Sequence, residues 1–171
     1  MLFQDDNAMR EAGFTGFRTV NELWRDSSVI PKVKGVYFVL YPGREMPEFE
    51  EIGTGGYFKD RDPNVPLDVL RSKWVDGVPV IYIGKAGGTS STTGNMSKAT
   101  LQKRIRQYLR FGHGEDVGHY GGRLIWQIKD PGNLIFCWKP LRTEEPRAVE
   151  AALIREFLDT YHKLPFANLT G

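Results

Sequence analysis

Two apolar segments, Lys34-Gly-Val-Tyr-Phe-Val-Leu-Tyr41 and Val78-Pro-Val-Ile-Tyr-Ile-Gly84, constrain this chain more than any other feature. Both are rich in β-branched and aromatic residues. The first is closed by Pro42-Gly43, so each reads as a strand that must be paired and covered on at least one face. Between them lies an acidic stretch interrupted by Pro42, Pro47, Pro63 and Pro66, which reads as a long connection with a short helix over about Leu67 to Trp74. The two strands then pair across an insertion spanning 42–77.

The rest of the chain alternates similar signals. Thr19-Val-Asn-Glu22 has the form of a capping box and predicts a short helix from about Val20 to Arg25 within an N-terminal extension, residues 1–33. Gly87 to Gly94 reads as a loop, and a helical pattern follows from about Thr100 to Phe111. Strands Arg123 to Ile128 and Leu134 to Lys139 are expected to form a hairpin around Asp130-Pro-Gly-Asn133. A longer helix begins with Thr143 as a candidate N-cap and ends near His162. The expected fold is α+β, one domain over 1–171 with a small, mostly antiparallel sheet flanked by helices.

Composition removes several classes of function. Cys137 is the only cysteine, and with only His113, His119 and His162 besides there is neither a disulfide framework nor a structural zinc set. No run approaches the length of a membrane span, and Met-Leu-Phe-Gln-Asp-Asp lacks the basic and apolar regions of a signal peptide, so a cytoplasmic protein without a membrane partner is expected. Gly88-Thr-Ser-Ser-Thr-Thr-Gly94 is followed by Asn95-Met96 and is no phosphate loop; Gly53-Thr-Gly-Gly56 lacks the context of a dinucleotide site. The net charge is only +2, but it is unevenly spread. Residues 42–69 carry a net −4, whereas 85–110 carry Lys85, Lys98, Lys103, Arg104, Arg106 and Arg110 with no acid. Phosphate backbones select such a basic patch.

Helical wheels expose two charges in the wrong place. In the helix after residue 100, Leu101, Ile105, Tyr108, Leu109 and Phe111 define an apolar arc that contains Arg104, while Lys103, Arg106 and Arg110 fall outside it. In the last helix, Val149, Ala152, Leu153, Ile154, Phe157, Leu158 and Tyr161 define an arc with Glu150 near its centre and Glu156 at its edge. A charge among apolar neighbours needs a partner, a metal or a substrate. Either Arg104 and Glu150 pair as an internal salt bridge, or they face a cleft that binds a hard cation and a phosphoryl group.

These residues carry a resemblance. Gly35-Val36-Tyr37 and Tyr82-Ile83-Gly84, with Lys85-Ala86 following, resemble the paired strand motifs of the GIY-YIG nuclease superfamily. Leu101-Gln-Lys-Arg104 resembles its arginine helix, Glu150-Ala-Ala-Leu-Ile-Arg155 its glutamate helix, and Pro165-Phe-Ala-Asn168 its terminal asparagine motif, all in the family's order across 35–168. The departures are in spacing. Forty-four residues separate Tyr37 from Tyr82 and 18 separate Lys85 from Arg104, both more than is usual in the family, and the distance from Glu150 to Asn168 keeps Glu156 as a rival glutamate.

The resemblance implies a GIY-YIG-like fold and a metal-dependent endonuclease that hydrolyses DNA to 5′-phosphate and 3′-hydroxyl ends. Tyr37 would serve as general base or orient the water, with positive charge from Lys85 and Arg104 favouring the phenolate. Arg104 would stabilise transition-state charge, Glu150 would hold Mg²⁺ or Mn²⁺, and Tyr82 and Asn168 would complete the site. Lys98, Lys103, Arg106, Arg110 and Arg123 are the expected DNA-backbone contacts. Specificity would come from the insertions, from a homodimer or from a protein partner. The alternatives are an inactive nucleic-acid-binding module on the same fold and an interaction protein with a structural Glu–Arg pair. His113 and His119 lie in or beside the glycine-rich 112–122 segment, where histidines are usually exposed bystanders.

Overall fold

The computed structural model describes residues 1–89 and 94–170; the middle of the Gly87–Gly94 loop, residues 90–93, lies outside the described residues. The architecture is α+β: a four-stranded antiparallel sheet, flanked by helices, in the order β1 (Thr15–Thr19), β6 (Ile135–Pro140), β2 (Gly35–Leu40), β3 (Val80–Ala86). A short ribbon, β4 (Gly88–Thr89) with β5 (Met96–Ser97), follows β3. The helices are α1 (Asp6–Glu11), α2 (Val20–Arg25), α3 (Leu67–Lys73), α4 (Leu101–Gly112) and α5 (Pro146–Tyr161). None is long and apolar enough to cross a membrane among the described residues.

Strand β2 is central because all six of its residues can be buried. Val36, Phe38 and Leu40 face one apolar cluster with Phe157 of α5, while Tyr37 and Val39 face the other with Ile105 and Tyr108 of α4, as period-2 alternation requires. Pairing of β2 with β3 shifts between Val39 and Leu40, which are opposite Tyr82 and Val80. The bulge leaves Ile81 extra, so Ile81 and Tyr82 both pack on the Tyr37 side. Gly84 stands opposite Tyr37, and a Cβ there would collide with the Tyr37 ring and hydroxyl. Glycine at 84 is what lets the phenol lie across the neighbouring strand.

Several local expectations hold. Thr19 and Glu22 form both bonds of the capping box on α2, and the helix expected from about Thr100 to Phe111 is α4, with Thr100 its N-cap through the Lys103 amide. His162 ends α5 in the left-handed conformation. Others are corrected. Residues 123–128 do not form a hairpin strand: Tyr120–Gln127 is a 3₁₀ segment kinked at Gly122, and only Ile128 makes a bridge, to Phe49. Leu124, Ile125, Trp126 and Gln127 are consecutively buried, which a half-covered strand cannot do. Thr143 does not cap α5; Glu145 occupies that position without a capping bond and Pro146 takes the first turn, where its missing N–H costs nothing. Ala152, placed in the apolar arc, is exposed.

The insertion is stitched into the body. The buried Gln127 amide donates to the carbonyls of Glu50, Glu51 and Val65 and accepts from the Val65 amide, while Leu70 and Trp74 join the core. The open edge of β3 is covered by the C-terminal segment. The Asn168 side chain accepts from the Ile83 amide and donates to the Ile83 carbonyl, each at 2.9 Å, and the Ala167 amide donates to Ile81.

A candidate active site beside strands β2 and β3

At the C-terminal end of β3 a cavity of about 280 Å³ is lined by Tyr37, Tyr82, Lys85, Arg104, Gln107 and Glu150, with Ala86, Gly87, Ser97 and Ala99 closing its rim. The strands bring Tyr37, Tyr82 and Lys85, α4 brings Arg104, and α5 brings Glu150 past β3. Gly88 is needed because a Cβ would meet the Glu145 carboxylate, which accepts from the Thr89 amide at 2.7 Å.

Arg104 is held on one side only. Its Nη1 donates to Gln107 Oε1 and to the Gly118 carbonyl, both at 2.8 Å, which aims the fork without consuming it. Among the described residues, Glu150 makes no ion pair within 4 Å and no hydrogen bond, so the direct Glu150–Arg104 salt bridge that the wheels allow is not formed. The half-buried Glu150 carboxylate is pushed up from its ordinary pKa by burial, with Lys85 and Arg104 pulling the other way from a distance. It is an unpaired acceptor aimed at a polar cleft. Glu156 is exposed on another face of α5 and does not line the cavity.

The tyrosines depart from expectation. Burial, then the neighbouring Tyr82, raises Tyr37 well above the phenol range, and burial with the Glu150 charge pushes Tyr82 up to about 12. Arg104 favours both phenolates, but burial outweighs it, so positive charge alone does not ready Tyr37 as a base.

The missing element is His119, which is buried rather than exposed. Its Nε2 lies 2.8 Å from Tyr37 Oη, and its ring stacks on Tyr108 with centroids 3.6 Å apart and planes 2° from parallel. Nδ1 is buried without a partner. An orphaned N–H is rarer than an orphaned acceptor, so the favoured tautomer carries its proton on Nε2 and donates to Tyr37, a bond that strengthens as the phenol loses its proton. No periodicity signalled this residue, because a glycine-rich segment reads as loop whatever its histidines do. His113 does lie on the surface, stacked on Trp24 with centroids 3.4 Å apart.

The remaining expected residues divide. Asn168 does not line this cavity; it acts on the Tyr82 strand through Ile83. Lys98 and Lys103 are exposed beside the cavity rim and α4, Arg106 is tied to Ser27 Oγ at 2.6 Å, and Arg110 is paired with Glu115 at 3.0 Å. Arg123 lies over the Tyr120 ring.

Because burial, then Arg104, holds His119 well below the usual histidine pKa, the unfolded chain takes up a proton that the folded one refuses. Its stability contribution is complete above about pH 6.5 and is lost as pH falls, at up to about 1.4 kcal/mol per pH unit. Melting temperatures of wild type and His119→Phe between pH 7 and pH 5 should therefore converge, with wild type falling faster. Parallel curves would remove His119 from this role. Comparison with protein-family models, curated proteins and solved structures finds no match for this chain.

Proposed function

We propose that this protein is a metal-dependent endonuclease of GIY-YIG type, which hydrolyses DNA phosphodiester bonds to 5′-phosphate and 3′-hydroxyl ends. The observation that carries the reading is the convergence of Tyr37, Tyr82, Lys85, Arg104 and Glu150 on one cavity, with Glu150 unpaired among the described residues.

The donor set fits a small hard cation. No cluster of three acidic, histidine or cysteine side chains exists among the described residues, and Mg²⁺ commonly takes one or two carboxylates, with waters and substrate oxygens completing its shell. Glu150 would hold it. A divalent cation there would supply Lewis-acid polarisation of the phosphate and would offset the negative field that Glu150 imposes on the two phenols.

The chain's own residues do the rest. Tyr37, once its own proton has left to solvent and the phenolate is held by the His119 Nε2–H donor, takes the proton from the attacking water; Tyr82, whose ring centroid is 6.1 Å from that of Tyr37, orients that water from the adjacent strand. Arg104 presents its free guanidinium edge to the phosphate as charge accumulates. Lys85 adds positive potential at the cleft wall. Cleavage assays over duplex, nicked, branched and modified DNA in Mg²⁺ or Mn²⁺ test the reading. DNA binding in Ca²⁺ with no cleavage of any substrate would identify an inactive binding module instead.

The exposed lysines predict a separate effect. Lys98→Ala with Lys103→Ala should flatten the log–log salt dependence of DNA binding by about 0.9 for each phosphate no longer neutralised, with little change in the rate of the bound complex. Titration of binding in Ca²⁺ from low to moderate salt measures it; an unchanged slope would take these residues off the DNA path.

A further inference from the structure

We propose that Arg61, Tyr120 and Arg123 form a second phosphate-binding subsite, filled by a phosphodiester group of the strand that runs through the cleft; this rests on the nuclease reading above. Two guanidiniums share one ring. The Arg123 carbon Cζ lies 4.1 Å and the Arg61 Cζ 4.6 Å from the Tyr120 centroid. Arg123 Nη1 donates to the Tyr120 carbonyl at 3.2 Å across the kink at Gly122, which holds its guanidinium over the ring.

The arrangement brings like charges together without an acid to balance them. Among the described residues neither arginine has a carboxylate within 4 Å; the nearby Asp62 side chain is turned to the amide and side chain of Asn64. Burial, with the charge of Arg61 adding to it, disfavours the charged form of Arg123, whose Nε is buried with no partner. Cation–π contact offsets part of that cost, and the exposed Arg61 together with the guanidinium hydrogens of Arg123 not given to the Tyr120 carbonyl are left to donate to a phosphate oxygen. The site is also stiff, since Tyr120 Oη donates to the Asp62 carbonyl at 2.7 Å and Asp116 accepts from the Lys59 amide at 3.2 Å.

Position ties this cluster to the reacting centre. His119, next in the chain to Tyr120, bonds Tyr37, and Gly122, next to Arg123, packs on Tyr82, where an added Cβ would be 3.1 Å from the ring. One short segment therefore serves both the general base and the arginine pair. Arg61 lies in the stretch 42–69, which is net −4 although Arg44 and Lys59 share it, so the proposed contact is a basic point on a segment whose net charge disfavours nucleic acid.

The test uses the full chain and two probes. With inorganic phosphate, the Arg123 Nη–H resonance should shift in wild type and stay put in Arg61→Gln, an exposed substitution that does not threaten the fold. With duplex DNA in Ca²⁺, Arg61→Gln should bind about tenfold more weakly, with the salt slope reduced by about 0.9. Unchanged DNA affinity and slope in Arg61→Gln would overturn the subsite, even if free phosphate moves the resonance. If wild type cuts no DNA yet both effects appear, the subsite stands and the nuclease reading falls. If wild type cuts DNA and Arg61→Gln cuts it with unchanged KM, the subsite falls alone.

Discussion

Glu150→Gln is expected to abolish cleavage while making the protein more stable. The carboxylate is half-buried, unpaired among the described residues and disfavoured by burial, so at neutral pH without metal the folded state carries a charge that Lys85 and Arg104 offset only in part. Glutamine keeps the shape and removes the charge. A rise of roughly 2–4 °C in melting temperature corresponds to about 1 kcal/mol in a chain of this size. Single-turnover cleavage in Mg²⁺ should fall by about three orders of magnitude, the loss that ~4 kcal/mol of transition-state stabilisation represents. Mn²⁺ should raise the melting temperature of wild type and leave the variant unmoved. The opposite pattern, a less stable variant with or without metal, would make Glu150 a structural residue and end the site assignment.

Arg104→Ala is expected to separate binding from chemistry. The guanidinium has no carboxylate partner among the described residues, and its Nη1 bonds leave the remaining fork toward the cavity. Its removal should lower the single-turnover rate by about 10²- to 10³-fold, while affinity for DNA in Ca²⁺ changes little. Lysine should rescue only a small part, because a point charge cannot reproduce the fork or hold the Gly118 carbonyl in the same way. That carbonyl belongs to the residue before His119, so the arginine also steadies the Tyr37–His119 bond. If Arg104→Ala cuts at a near wild-type rate once DNA is saturating, the arginine sits in the apolar arc for packing alone.

Local physics wrote much of this molecule into its sequence. The β-branched runs around Tyr37 and Tyr82 became β2 and β3 because such side chains suit a covered pleated surface. Arg104 and Glu150 stood out because a 3.6-residue period shows which side of a helix a charge must share with apolar neighbours, and both line the cavity. The capping box of α2 needed only residues three apart.

Other features depend on partners distant in the chain. Strand β1 carries a glycine and a bulge and offers no alternation; it pairs with β6 in a register where Gly16 leaves space for Trp138. The 120–127 segment winds instead of extending because it packs against both α4 and the insertion, so four consecutive side chains are buried. Asn168 bonds the main chain of Ile83 across 85 residues. His119 is the sharpest case. Neighbouring glycines make its segment look like solvent-exposed loop, and only the stacking face of Tyr108 and the hydroxyl of Tyr37, 82 residues away, turn that ring into a buried hydrogen-bonding group. Periodicity and propensity act over a few residues, whereas the identity of a buried neighbour exists only once the sheet and α4 have closed over it.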